Sequence, residues 1–275
     1  MNVQFIIKDE IPYIIEVNPR ASRTVPIMSK VTSIPMVDIA VNAILGTSIK
    51  KQGYKTGLAD NTSLIAIKVP VFSFQKLNQI DPALAPEMKS TGEVLGVDRD
   101  YKKALIKAFL AAGYQFPVPK QRILVSLNDH YKQESLKTLK SFYDAGYLIM
   151  ATLGTHKFLE KNGIPSKMIG KFMFDKLQKR MKEGRFSMVI NTPNIGKDSE
   201  RRGFKMRTLA EMYGIPCFTS IDTAQAFFEA MQAYETDPKL KYKSIEKYRT
   251  RRFFRFLSKF LSKELCNKFS FLYKK

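Results

Sequence analysis

Glu16 and Asn18 stand two residues apart in the β-branched run Ile14-Ile15-Glu16-Val17-Asn18. On an extended strand both side chains point to one face, where a carboxylate and an amide oxygen can serve a hard cation. Gln4 is expected to join them. The segment Asn2 to Ile7 is apolar apart from Asn2 and Gln4, and Lys8-Asp9-Glu10 reads as the tip of a hairpin leading into Ile11 to Val17. A tight hairpin sets Gln4 nearly opposite Glu16. Carboxylate and amide oxygens around Mg²⁺ or Mn²⁺, with Arg20 and Arg23 just downstream, suit phosphoryl transfer from a nucleotide.

A second constellation lies in the C-terminal half. Ala151-Thr152-Leu153-Gly154-Thr155 closes one apolar run and opens a helical one, and Asn191-Thr192 closes another. Hydroxyls and backbone amides at a helix N-terminus, with glycine allowing close approach, make a phosphate cradle that needs no catalytic residue. Lys132 and Lys171 add positive charge. The competing reading is that Thr152 and Thr155 merely cap the helix, as Ser and Thr commonly do. Two strand ends and two lysines favour the phosphate.

The elements that must position these residues alternate. Residues 1 to about 115 combine the hairpin, a helix over Val37–Leu45, a strand over Leu64–Phe74 and a helix over Arg99–Ala112. Pro117-Val118-Pro119 then removes backbone donors, and a domain boundary is expected there. Beyond it, strands are expected at 123–127, 147–152, 186–191 and 215–220, with helices at 133–145, 156–162, 175–183, 199–213 and 223–234. Continuous apolar runs such as Met188-Val189-Ile190 argue for a buried parallel sheet, doubly wound with helices on both faces. Ligands of such α/β folds bind beyond the C-terminal ends of the strands.

With Gln4, the run Glu16-Val17-Asn18-Pro19-Arg20 and the later Pro86-Glu-Met-Lys-Ser-Thr-Gly-Glu-Val94, the chain resembles the large subunit of carbamoyl-phosphate synthetase, from Met1 to about Tyr234. That resemblance implies a division into 1–116, the C-terminal end of an ATP-grasp domain, 117–237, a methylglyoxal-synthase-like allosteric domain, and a basic tail over 238–275. It implies that Gln4, Glu16 and Asn18 hold metal where carbamate is phosphorylated by ATP, with Arg20 beside them. Lys132, Thr152, Thr155, Lys171, Asn191 and Thr192 stand where family members contact an effector's phosphate and its surroundings. The family makes carbamoyl phosphate from bicarbonate, ATP and glutamine-derived ammonia for pyrimidine and arginine synthesis, with a glutaminase small subunit as partner.

Departures from the family pattern carry their own expectations. The glycine-rich loop and adenine pocket of an ATP-grasp fold would precede Gln4, so the chain is expected to be the C-terminal piece of a longer polypeptide that does not turn over ATP alone. Relatives responding to ornithine use a Glu near Lys68 and a Tyr near the last strand, where this chain has Val69 and Phe218. UMP is therefore the first choice of effector, with IMP the alternative. A true methylglyoxal synthase supplies a carboxylate base from a Gly-Gly-Asp turn after its third strand. This sequence has Ile169-Gly-Lys-Phe-Met-Phe174 at that place.

Composition fits this reading. The chain has 275 residues, 44% of them hydrophobic, which is enough for a sizeable core and excludes a disordered polymer. No apolar stretch reaches the roughly 18 residues of a membrane span and no secretory leader is visible, so a cytoplasmic location is expected. Cys217 and Cys266 have no metal-ligand spacing, and no disulfide is expected. Asn61-Thr62-Ser63 reads as a turn. The net charge is +21, and residues 239–275 contribute thirteen Lys and Arg against two Glu, or +11 of it. Within that tail, Phe253, Phe256, Leu257, Phe260 and Leu261 recur at helical spacing among cations. A helix covering its own domain, or a vestigial tail, is preferred to a role on a membrane surface or a partner, and no base-reading motif points to nucleic acid.

Overall fold

A computed structural model describes residues 1–55, 57–58, 62–71, 83, 90, 92–169, 174–193, 202–237, 239–245 and 247–248. Lys171, much of the Pro86–Val94 motif, Cys266 and the amphipathic tail lie outside the described residues. Two compact units result: Met1–Leu64 with the described residues from Lys241 onward, and Ile65–Leu240.

In the first unit, β1 (Asn2–Lys8) and β2 (Ile11–Asn18) form an antiparallel hairpin. Its tip residues Asp9 and Glu10 both have positive φ, 51° and 62°, the backbone signature of the tightest hairpin turns. Gln4 pairs with Glu16 and Phe5 with Ile14, so Ile15 is a bulge. The helices α1 (Thr24–Thr32) and α2 (Met36–Ile44) follow. Ser29 pins the turn between them, donating to the Ile34 carbonyl (2.6 Å) and accepting from the Met36 amide (2.8 Å). Sequence reading anticipated α2 but not α1, whose first turn holds Pro26, a residue tolerated there but commonly read as a break. Phe5, Ile6, Ile7, Ile11, Tyr13, Ile14, Ile15 and Val17 are all exposed. Among the described residues the hairpin has no third strand.

In the second unit, β3 (Ile65–Val71) and β4 (Gly92–Asp98) pair antiparallel. Helix α3 (Tyr101–Ala111) is capped by Asp100, which accepts from the Lys103 amide at 2.9 Å. It packs on β4 at Gly96 so closely that an added Cβ would overlap the Ala104 carbonyl and the Ala108 amide. Five parallel strands follow: β5 (Arg122–Ser126), β6 (Leu148–Ala151), β7 (Lys167–Met168), β8 (Met188–Asn191) and β9 (Cys217–Phe218). Their order is β7-β6-β5-β8-β9, with β5 central and the chain reversing direction across it.

The helices α4 (Lys132–Asp144), α5 (Leu153–Lys161), α6 (Phe174–Lys182), α7 (Arg202–Met212) and α8 (Ile221–Thr236) clothe both faces. Ile123 and Val125 of β5 enter one core with Leu139, Leu159 and Phe227, while Leu124 enters the other with Leu177, Met206 and Leu209. The two cores on opposite faces bear out the expected doubly wound sheet.

Compactness does not break at Pro117-Val118-Pro119, where sequence reading set a boundary. Phe109 of α3 meets Phe227 of α8 edge-on at 5.0 Å, Tyr114 stacks on Phe218 at 5.8 Å, and the Tyr147 hydroxyl donates to the Pro117 carbonyl at 2.8 Å. The prolines thus bend a chain already packed on the sheet domain. No single helix among the described residues is long and apolar enough to cross a membrane.

Candidate functional site

The ends of β5, β6 and β8 converge on one place. The two amides following β5 are suspended between hydroxyls on either side: Leu127 N–H donates to Thr155 Oγ1 in the first turn of α5 at 2.9 Å, and Asn128 N–H to Thr192 Oγ1 just after β8 at 2.7 Å. The Thr152 hydroxyl lies 3.3 Å from both Ser126 Oγ and Thr155 Oγ1. Asn128 Oδ1 accepts from the His130 amide at 3.0 Å, starting the short turn Asp129–Tyr131 that delivers Lys132 to the start of α4. Lys132 Nζ then reaches across to α5, donating to the Gly154 carbonyl at 3.1 Å and lying 5.7 Å over the Phe158 ring. An added Cβ at Gly154 would stand 3.7 Å from this ammonium, an ordinary contact distance, so the lysine lies directly against the first turn of α5.

Thr152 occupies the N-cap position of α5, but its side chain makes no capping bond. Thr155 spends its hydroxyl on Leu127. The capping alternative is therefore not realised, and the first turn of α5 keeps its N–H groups and positive dipole end.

Sequence reading missed what lies beneath. Asn191 is 2% exposed, with Nδ2 donating to the Ser126 carbonyl at 3.1 Å and Oδ1 accepting from Arg207 Nη1 at 2.5 Å. Arg207, on α7, is itself buried. Asn191 thus ties three elements together at the floor of the site, and Thr155 and Thr192 are buried struts of the loop after β5. Thr152, Gly154 and Lys132 line the opening. Ser126 and Arg207 carried no sequence signal, because their partners are 26 and 16 positions away. The two histidines do not join the cradle: His130 stands edge-on to Tyr131, and His156 Nδ1 lies 2.8 Å from Ser166 Oγ.

On the hairpin, Gln4, Glu16 and Asn18 are brought together as expected. Glu16 Oε1 accepts from Gln4 Nε2 at 2.7 Å and from Asn18 Nδ2 at 2.8 Å. An amide flip exchanges nitrogen for oxygen at nearly unchanged shape, so the same three side chains can offer three converging oxygens, a donor set that fits a hard divalent cation. Arg20 turns its guanidinium to the Ala21 carbonyl at 3.2 Å. Among the described residues no cluster of three His, Cys, Asp or Glu forms another candidate metal centre.

Two family models match: the carbamoyl-phosphate synthase L chain ATP binding domain over residues 1–52 and the MGS-like domain over residues 134–219. The carbamoyl phosphate synthase large chain of Clostridium acetobutylicum is 44% identical over 248 residues, covering 90% of this chain and 23% of the relative. That of Caldanaerobacter subterraneus subsp. tengcongensis is 45% identical over 231 residues, covering 84% of this chain and 21% of the relative. The chain belongs to the carbamoyl phosphate synthase large-chain family. It spans less than a quarter of the length of these large chains and corresponds to their C-terminal region. The oxygen cluster of the hairpin falls in the part matched by the large-chain ATP-binding domain. Thr152, Thr155, Asn191 and Thr192 fall in the MGS-like part, and Lys132 stands two residues before it.

Proposed function

We propose that this chain is the effector-binding end of a carbamoyl-phosphate-forming ligase, and that the cradle at the ends of β5, β6 and β8 takes the phosphate of a nucleotide. One observation supports this reading most: an uncapped helix N-terminus with the Lys132 ammonium fixed over its first turn, inside loops held by buried hydroxyls. Such a site rewards an anion. Lys171 is assigned to the same phosphate. UMP is the first choice because Val69 and Phe218 replace the polar residues that ornithine-responsive relatives use, and IMP is the alternative.

In the complete ligase, Gln4, Glu16 and Asn18 would hold Mg²⁺ or Mn²⁺, with Arg20 nearby; the ion would neutralise ATP phosphate charge where carbamate is phosphorylated. Glu16 supplies the anionic ligand, and the two amides complete a face of neutral oxygens. The exposed apolar hairpin would be covered by the rest of the large chain, a glutaminase small subunit would supply ammonia, and the product would serve pyrimidine and arginine synthesis in the cytoplasm. Effector and ATP sites would be coupled reciprocally: whatever factor effector imposes on ATP affinity, ATP imposes on effector affinity.

A stand-alone methylglyoxal synthase is the competing reading. The stretch Ile169–Phe174, where that chemistry needs its carboxylate base, contains no Asp or Glu. Titration of the chain with UMP and IMP, beside an assay for methylglyoxal from dihydroxyacetone phosphate, separates the two. Saturable nucleotide binding without turnover supports the effector reading, whereas methylglyoxal formation overturns it.

A further inference from the structure

The effector reading leaves a charge unaccounted for at the opening of the cradle. The first turn of α5 carries the positive end of the helix dipole, and Thr152 does not cap it. Lys132 is held against that same turn through the Gly154 carbonyl at 3.1 Å, so a full positive charge sits beside a partial one. With nothing else present, this is an unfavourable place for an ammonium.

The counter-charge in the structure is Asp129. Its Oδ1 lies 2.6 Å from Lys132 Nζ, yet its side chain is 91% exposed while that of Lys132 is only 17% exposed. One partner is fixed in the site and the other reaches in from solvent. Asp129 owes its place to the short turn opened by Asn128, whose backbone amide is bound to Thr192 of the cradle. A carboxylate so exposed loses little packing when it swings away.

The geometry points to Asp129 as an internal counter-anion that competes with the effector phosphate for Lys132. This inference rests on the effector reading and adds a regulatory contact to it. The carboxylate holds the lysine in position while the site is empty, and it must be displaced, or tolerated as a like charge, when phosphate enters. Affinity is thereby set below what the cradle alone would give. Two consequences follow. A dianionic phosphate should displace Asp129 better than a monoanion, and removing the carboxylate should tighten binding, whereas removing a merely structural ion pair would loosen it.

A unit charge about 4 Å away in water changes an equilibrium constant by about fivefold, and somewhat more where solvent is partly excluded. The test is calorimetric titration of the whole 275-residue chain, and of its Asp129→Asn variant, with inorganic phosphate and with UMP. Asp129→Asn should bind both about fivefold more tightly at low salt. At about 1 M salt, where the screening length falls to about 3 Å, the ratio should approach one. In a Lys132→Met background, Asp129→Asn should have a clearly smaller effect, because the competition acts through the lysine. If the parent chain binds saturably and Asp129→Asn binds equally or more weakly, the counter-anion idea is wrong while the effector reading stands. If neither chain binds phosphate or UMP, both fall together.

Discussion

Replacing Thr155 by Val keeps the shape of the side chain and removes its hydroxyl, which makes it the cleanest perturbation of the cradle. Thr155 Oγ1 is the acceptor for the Leu127 amide at 2.9 Å, and the residue is 1% exposed, so no water can take over that bond without rearrangement. An unsatisfied buried donor costs about 1–3 kcal/mol. For a unit of this size, each kcal/mol lowers the melting temperature by roughly 2–4 °C. Thr155→Val should therefore lose about 1–3 kcal/mol in urea unfolding, seen as a lower midpoint with an unchanged slope. The same change frees one of the two tethers of the loop after β5, so effector affinity should fall as well. Thr155→Ser keeps the oxygen and should retain most of both. A Thr155→Val chain as stable as the parent, with unaltered UMP affinity, would refute the claim that this hydroxyl suspends the loop.

Three further outcomes follow from other parts of the molecule. Burial alone pushes the Glu211 carboxyl up from 4.5 to about 7, so the folded state holds that proton more tightly than the unfolded chain; stability should fall as pH rises from about 4.5 to about 7 and stay low above it. Glu211→Gln should flatten that fall and stabilise the chain at pH 8 by up to about 3 kcal/mol, checked by unfolding at several pH values. Gly96→Ala would drive a methyl into the backbone of α3 at Ala104 and Ala108, and a loss above about 2 kcal/mol is expected in thermal unfolding; a neutral result would mean that β4 and α3 do not meet as closely as described. Ile6→Lys combined with Ile15→Lys should cut binding of an apolar dye and self-association, since both side chains are more than half exposed on a hairpin without a third strand among the described residues. Unchanged dye binding would place the adhesive surface elsewhere.

The parts of the fold legible in the sequence were those with one strong local cause. Met188-Val189-Ile190 announced a strand buried on both faces, and all three are completely buried. The hairpin itself was legible from its polar tip between two apolar runs, but its register was not: a two-residue tip alone would set Gln4 against Ile15, and the bulge at Ile15 is what brings Gln4 to Glu16. Strand β7 was illegible because two residues leave no period to detect; it is made by pairing with Met150 and Ala151. The stretch 215–220 read as a full strand yet pairs only at Cys217 and Phe218, since Ser220 becomes the N-cap of α8. At the cradle, residue types at strand ends identified Thr152, Thr155, Asn191 and Thr192. Their division into struts, floor and opening was not legible, because it depends on partners far along the chain: Leu127 for Thr155, Asn128 for Thr192 and Arg207 for Asn191. The ion pair of Asp129 with Lys132 was not read from the sequence either, although only three positions separate them, because it depends on the short turn Asp129–Tyr131 that folds one back to the other.

Calorimetric titration of the whole chain with UMP, IMP and inorganic phosphate, repeated with Lys132→Met, tests the central claim most directly. The account predicts one saturable nucleotide site per chain, competed by phosphate and weakened at least about fivefold by the loss of the Lys132 charge. Nucleotide binding that ignores both phosphate and Lys132, or no binding at all, would contradict it.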